Sequence, residues 1–237
     1  MKLLLRVFFT AIVLFGVLGV STTRATITYD LNISVNGTPP SENPPWLTAV
    51  LSNFTDTSNR VGLLLRMTAT NLAPGEKVDS WAFKLNTSMT GDPTTQNLQF
   101  TQAGVNGSIG VKSISVSNGV ETVAGSGNIL SGFDILFNFN NGGSNAFEEG
   151  EEIFYFIHSA SRTLTETDFF AQNPAGYYSG AHVIGISGGR GSGAIGAIAA
   201  VPEPGHSIFG VLLLGGLVWV ERGRIRSFFR RGRQATA

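Results

Sequence analysis

The chain has 237 residues, 42% hydrophobic and only 14% charged, with no cysteine and a formal net charge of zero. The missing cysteines exclude a disulfide framework, thiolate metal sites, a cysteine nucleophile and a lipoprotein anchor. The zero charge is a cancellation: from Thr26 to Ala200, 7 basic residues face 14 acidic ones, and an acidic body with no basic patch excludes nucleic acid as a partner.

Taken in chain order, Lys2 and Arg6 precede an apolar run from Val7 to Val20, and Ser21 to Ala25 is polar and ends in a small residue. A positive start, an apolar helix too short for a stable span and small residues for a peptidase are the layout of a secretory signal peptide. Residues 1–25 are therefore predicted to be removed by signal peptidase after Ala25. Ile27, Tyr29, Leu31, Ile33 and Val35 then alternate with polar residues up to Asn36-Gly37, a period-two strand signal with a turn behind it. Further strands are predicted over Leu63 to Thr70, through Trp81, Phe83 and Leu85, and more weakly around Ile114 and Val116. Phe133, Ile135, Phe137 and Phe139 place four large side chains on one face, ending at Asn140-Asn141-Gly142-Gly143. Ile153 to His158 is apolar on both faces, as in a central strand, and Val183 to Ile186 is a short candidate. Only Leu164 to Gln172, opened by Thr163 or Thr165 as a cap, reads as helical. Gly188 to Ala200, low in side-chain volume, reads as an edge strand or a linker.

Many short strands with almost no helix predict an all-β body over residues 26–200. The expected form is a single β-sandwich, jelly-roll or immunoglobulin-like, flanked by the signal peptide and a C-terminal transmembrane helix. A body of that size can bury enough apolar area to stand without disulfides.

The C-terminal segment, residues 201–233, has three parts. Val201-Pro202-Glu203-Pro204 comes first, then an apolar helix predicted over about 205–220, then a basic tail with Arg222, Arg224, Arg226, Arg230, Arg231 and Arg233. Sixteen helical residues reach about 24 Å against a hydrocarbon core of roughly 30 Å, so the helix spans only a thinned bilayer. The arginines hold the tail in the cytoplasm and the body outside. This order of parts resembles the PEP-CTERM sorting signal, whose members are recognised by an exosortase and carry an N-terminal signal peptide. The resemblance implies a membrane-anchored intermediate cut near Pro202-Glu203-Pro204. The product would then be released, or held at the cell surface or in an exopolysaccharide or biofilm matrix. The body is also similar, through Ser34-Val35-Asn36-Gly37-Thr38-Pro39-Pro40 and Ala181-His182-Val183, to uncharacterised bodies of other members, which brings no activity with it. The prolines are expected to keep the motif extended, poor in hydrogen bonds and open to an enzyme.

No catalytic constellation and no cofactor site emerge. Gly185-Ile186-Ser187-Gly188-Gly189 matches the nucleophile-elbow pattern but lacks the following helix and a usable later histidine. Gly191-Ser192-Gly193-Ala194-Ile195-Gly196 matches a dinucleotide fingerprint outside any βαβ unit. Glu148-Glu149-Gly150-Glu151-Glu152 is the one place where Ca²⁺ enters consideration, although it lacks alternating oxygen ligands and reads as a solvated loop. His158 and His182 are the only histidines of the body. They are too few for a three-histidine zinc site, and two histidines with a carboxylate remain arithmetically possible. Trp46, Trp81, Tyr29, Tyr155, Tyr177 and Tyr178 are candidates for stacking on sugars, the Tyr177-Tyr178 pair foremost. The leading expectation is a non-enzymatic exported surface or matrix protein. The rival is a carbohydrate-binding module, and a third reading is a calcium-dependent adhesive domain using Glu148 to Glu152 and Asp168.

Overall fold

A computed structural model describes residues 26–87, 91–189 and 191–203. Ala25, the signal segment, Pro204, the apolar segment and the six tail arginines lie outside the described residues, so those expectations rest on sequence.

The described chain is all-β. Twelve strands form two antiparallel sheets: β1 (Thr26–Leu31), β2 (Ile33–Gly37), β3 (Leu47–Thr55), β4 (Val61–Ala69), β5 (Lys77–Phe83), β6 (Leu98–Asn106), β7 (Val111–Thr122), β8 (Ser131–Phe139), β9 (Glu152–Ser159), β10 (Ser179–Gly185), β11 (Gly191–Ala197) and β12 (Ala200–Glu203). Sheet A has the order β12-β1-β3-β4-β9-β6, and sheet B the order β2-β11-β10-β5-β8-β7.

Their inner faces meet in one core. Tyr29, Leu51, Leu65 and Ile157 from sheet A and Trp81, Phe83, Phe137 and Val183 from sheet B belong to the same buried cluster. Aromatic pairs bridge the sheets: Phe137 lies 5.2 Å from Tyr155 and 5.8 Å from Phe100, and Tyr29 lies 6.1 Å from Phe83. Offset and edge contacts of this kind add to the area they bury. Face-to-face antiparallel sheets with a shared core are consistent with the β-sandwich expected. Among the described residues one continuous core runs from Ile27 to Ala200, within a single compact unit, Ala25–Glu203, of the size that folds by itself.

Several elements depart from expectation. The stretch Ile27 to Val35 is two strands in different sheets, with the exposed Asn32 between them. The alternation never breaks, so side-chain periodicity alone is blind to this crossing. Phe133 does not share the face of Ile135, Phe137 and Phe139. It joins a second cluster with Ala82, Val123, Leu130 and Ala194. Ala82 alternates with the core residues Trp81 and Phe83, so this cluster lies on the outer face of sheet B. It is covered by the β7–β8 connection, closed by the Val123 N–H donating to Leu130 O at 2.9 Å.

The helix expected over Leu164 to Gln172 shrinks to a 3₁₀ turn at Glu166–Phe169, where the Asp168 carboxylate accepts the N–H of Thr165 at 2.8 Å. Strands β3 and β6 fall in stretches where none was predicted, and Gly191–Ala197 is a full strand inside sheet B.

Candidate functional site

The first and last described strands meet. β12 pairs with β1 in antiparallel register, placing Glu203 opposite Thr26, Pro202 opposite Ile27, Val201 opposite Thr28 and Ala200 opposite Tyr29. Three residues of the expected sorting motif, Val201, Pro202 and Glu203, are therefore part of the folded body, which runs past the boundary expected at Ala200. Thr26, the residue that would follow the signal-peptide cut, opens β1 directly across from Glu203. The described part of the motif, Val201 to Glu203, is extended and is paired with β1, where a stretch poor in hydrogen bonds was expected. β12 is the edge strand of sheet A, the position in a sheet where a residue without an N–H is tolerated, and a proline there discourages further pairing. Val201 is 52% exposed.

A second constellation lies on sheet B. Strand β10 runs Ala181-His182-Val183, with Ala181 and Val183 in the core, so His182 points outward. Its neighbour β5 has an irregular register there: His182 faces Ser80 and Val183 faces Val78, which leaves Asp79 as the extra residue of a β-bulge. The bulge turns Asp79 toward His182, whose Nδ1 lies 3.0 Å from Asp79 Oδ2, while Asn141 Nδ2 donates to Asp79 Oδ1 at 3.1 Å. The hydrogen bond from His182 holds the Asp79 carboxyl below its usual range, against the opposing effect of partial burial.

His182 is 9% exposed, and its Nε2 is buried with no hydrogen-bond partner among the described residues. Gly125, at φ +68°, presses on the ring so closely that a Cβ there would sit 2.9 Å from Nε2. The Gly125 carbonyl accepts from Asn36 Nδ2 at 2.8 Å, which pins the covering loop.

Beside Asp79 opens a groove of about 570 Å³, lined chiefly by Asp79, Lys112, Ser113, Asn138, Asn140 and Asn141. A smaller depression of about 380 Å³, with Lys77 and Ser192 in its wall, shares Asn141 with it.

The other sequence candidates disperse. His158 is on β9 of sheet A, where its Nε2 accepts from Arg60 Nη1 at 2.9 Å, so the two histidines stand on different sheets. Glu148 pairs with Lys77 at 3.0 Å, Glu151 accepts the N–H groups of Ser108 and Glu148, and Glu152 pairs with Arg66. Asp168 lies 2.9 Å from Arg162 Nη2. Four of the five carboxylates named for calcium, Glu148, Glu151, Glu152 and Asp168, are thus engaged with different partners.

Trp81 and Tyr29 are fully buried, and Trp46 and Tyr155 nearly so. Tyr177 and Tyr178, just before β10, pack apart, Tyr177 on the outer cluster of sheet B and Tyr178 on the shared core. They form no stacking pair. Ser187 and Gly188 both have positive φ and make the tip of the β10–β11 hairpin, not a strand-to-helix elbow. The Asp79–His182 pair and its groove were missed in the sequence because the bulge that joins them depends on cross-strand register. Comparison with known proteins finds no matching family model, no matching curated protein and no matching solved structure.

Proposed function

We propose that the protein is an exported, non-enzymatic surface or extracellular-matrix protein, cut by signal peptidase after Ala25 and by an exosortase near Pro202-Glu203-Pro204. Between the two events it is a membrane-anchored intermediate with the body outside the cytoplasm. One observation supports this reading: β12, which holds Val201, Pro202 and Glu203 of the expected motif, pairs with β1, so that Thr26 faces Glu203. The residues beside the two expected cuts, Thr26 and Glu203, thus lie next to each other in sheet A. A body whose first and last described strands are paired can stay folded while either flanking stretch is cut away.

On the fold, the finer reading remains a β-sandwich of jelly-roll or immunoglobulin-like kind, enlarged to two six-stranded sheets.

The test compares two variants in hosts with and without an exosortase, following the size and membrane association of the body. Replacing Pro202, Glu203 and Pro204 by alanine leaves insertion intact and blocks shortening. Replacing the six arginines from Arg222 to Arg233 lets the apolar segment slip through the bilayer, because the positive flank sets its orientation. An ordinary tail anchor gives no shortening in either host and no effect of the alanine triplet, an outcome that rejects the sorting reading.

A further inference from the structure

We infer that the groove beside Asp79 is a binding site for a hydroxyl-rich ligand, an oligosaccharide, with Asp79 as its fixed acceptor and Lys112 as its principal donor. The groove stands independently of the export reading, and its own lining names the ligand class.

The site carries construction costs that sheet stability does not explain. A bulge interrupts the β5–β10 ladder to turn Asp79 outward. Behind it a histidine is buried with one ring nitrogen unpaired, which costs desolvation without return. A glycine with positive φ is held against that ring. Together these fix a carboxylate from two sides, through His182 and Asn141, and leave it facing a groove of about 570 Å³. That volume lies within the roughly 300–1,000 Å³ usual for small-molecule sites.

The lining narrows the chemistry. Its side chains are almost all polar, which disfavours a lipid or an aromatic ligand. One carboxylate and one ammonium balance in sign, which disfavours a polyanion such as a phosphate ester. What remains matches a hydroxyl group, which donates and accepts at once. Asp79 accepts, Lys112 donates, and the amides of Asn138, Asn140 and Asn141 with the Ser113 hydroxyl do both. The smaller depression continues the track past Asn141, so a chain of sugar units fits better than a single ring.

The test applies the soluble body, residues 26–203, to an array of neutral, amino and acidic oligosaccharides, followed by calorimetry with the best-retained sugar. Retention of an oligosaccharide is expected, with tighter binding for longer chains. Lys112→Ala and Asp79→Asn should each weaken it about tenfold or more, the scale of one charged hydrogen bond. Arg66→Ala on sheet A should leave it unchanged. Lys112 stands on the rim, so its replacement keeps the test decisive even where Asp79→Asn disturbs the bulge. A body that retains no sugar, or that binds as tightly with Lys112→Ala as the wild type does, overturns the assignment.

Discussion

Sheets A and B share one core yet are built differently. In sheet A the register from β1 through β3 and β4 to β9 runs without a shift, and the irregularity is confined to the edge strand β6, between Gln102 and Gly104. Its outer face is finished simply: Phe156 lies over Gly62 and Phe154 over Gly104, with Arg60 and Arg66 above the two rings at 5.4 and 5.9 Å. In sheet B the pairings of β10 with β5, β11 with β2 and β7 with β8 all shift. Its outer face carries a loop-covered cluster, a fully buried aspartate and the Asp79–His182 pair. Regular pairing keeps side chains in strict alternation, whereas each shift re-aims a side chain. Sheet A thus reads as the frame that brings β1 and β12 together, and sheet B as the face that carries the proposed site.

The largest expected effect tests the edge of the frame. Thr28 and Val201 are directly paired, Val201 is exposed, and the chain has no cysteine of its own to interfere. In the double variant Thr28→Cys, Val201→Cys, a disulfide should lock β12 onto β1 and stop shortening of the tail in an exosortase-bearing host until a reductant is added. Single-cysteine variants should be processed normally. Normal shortening of the oxidised lock would show that β12 need not open.

Next comes the core that both sheets share. Phe137 is fully buried and touches aromatic rings from each sheet. Phe137→Ala should cost roughly 3–5 kcal/mol in urea unfolding. A loss under about 1 kcal/mol would mean the sheets do not meet as described.

A buried charge then distinguishes the two outer faces. Asp134 is fully buried, 3.0 Å from Lys84 Nζ, and accepts the N–H groups of Leu85 and Gly119 at 2.7 Å each. Removing the carboxylate strands a cation and two amides, so Asp134→Ala should cost about 3 kcal/mol. The exposed Arg66–Glu152 pair of sheet A gives the contrast: Arg66→Ala should cost less than about 1 kcal/mol. Equal losses from the two would erase the distinction.

A smaller effect lies in the pH dependence. Asp79 is held below the usual carboxylate range, chiefly by its hydrogen bond from His182. A depressed carboxyl contributes stability that is present above the unfolded value of about 3.9 and is lost as pH falls through the lower folded value. The stability difference between wild type and His182→Ala should therefore narrow as pH drops below about 4, as followed by urea titration. A difference that stays constant across that range would mean the pair adds nothing to folding.

Alternation of side chains is a local property, and for that reason it was legible. The strands around Leu63, Trp81, Phe137 and Ile153 could be read because large apolar residues recur at period two. The acidic body between basic ends followed from counting. Strand β6 escaped because it is an edge with few buried positions, and β3 because Ala49 is a small residue between Leu47 and Leu51. Which sheet a strand joins is not local. Ile27 to Val35 keeps one rhythm while crossing from sheet A to sheet B, and Phe133 keeps the rhythm of β8 while joining the other cluster.

The same holds for sites. Asp79 and His182 stand far apart in sequence and meet only because β5 bulges against β10. Thr26 and Glu203, near the two ends of the chain, are neighbours only because β12 returns to pair with β1. Periodicity and charge decide what each segment is, since they act between adjacent residues. Partner strand, register and bulge decide what it faces, since they arise from contacts that close only when the whole chain has folded.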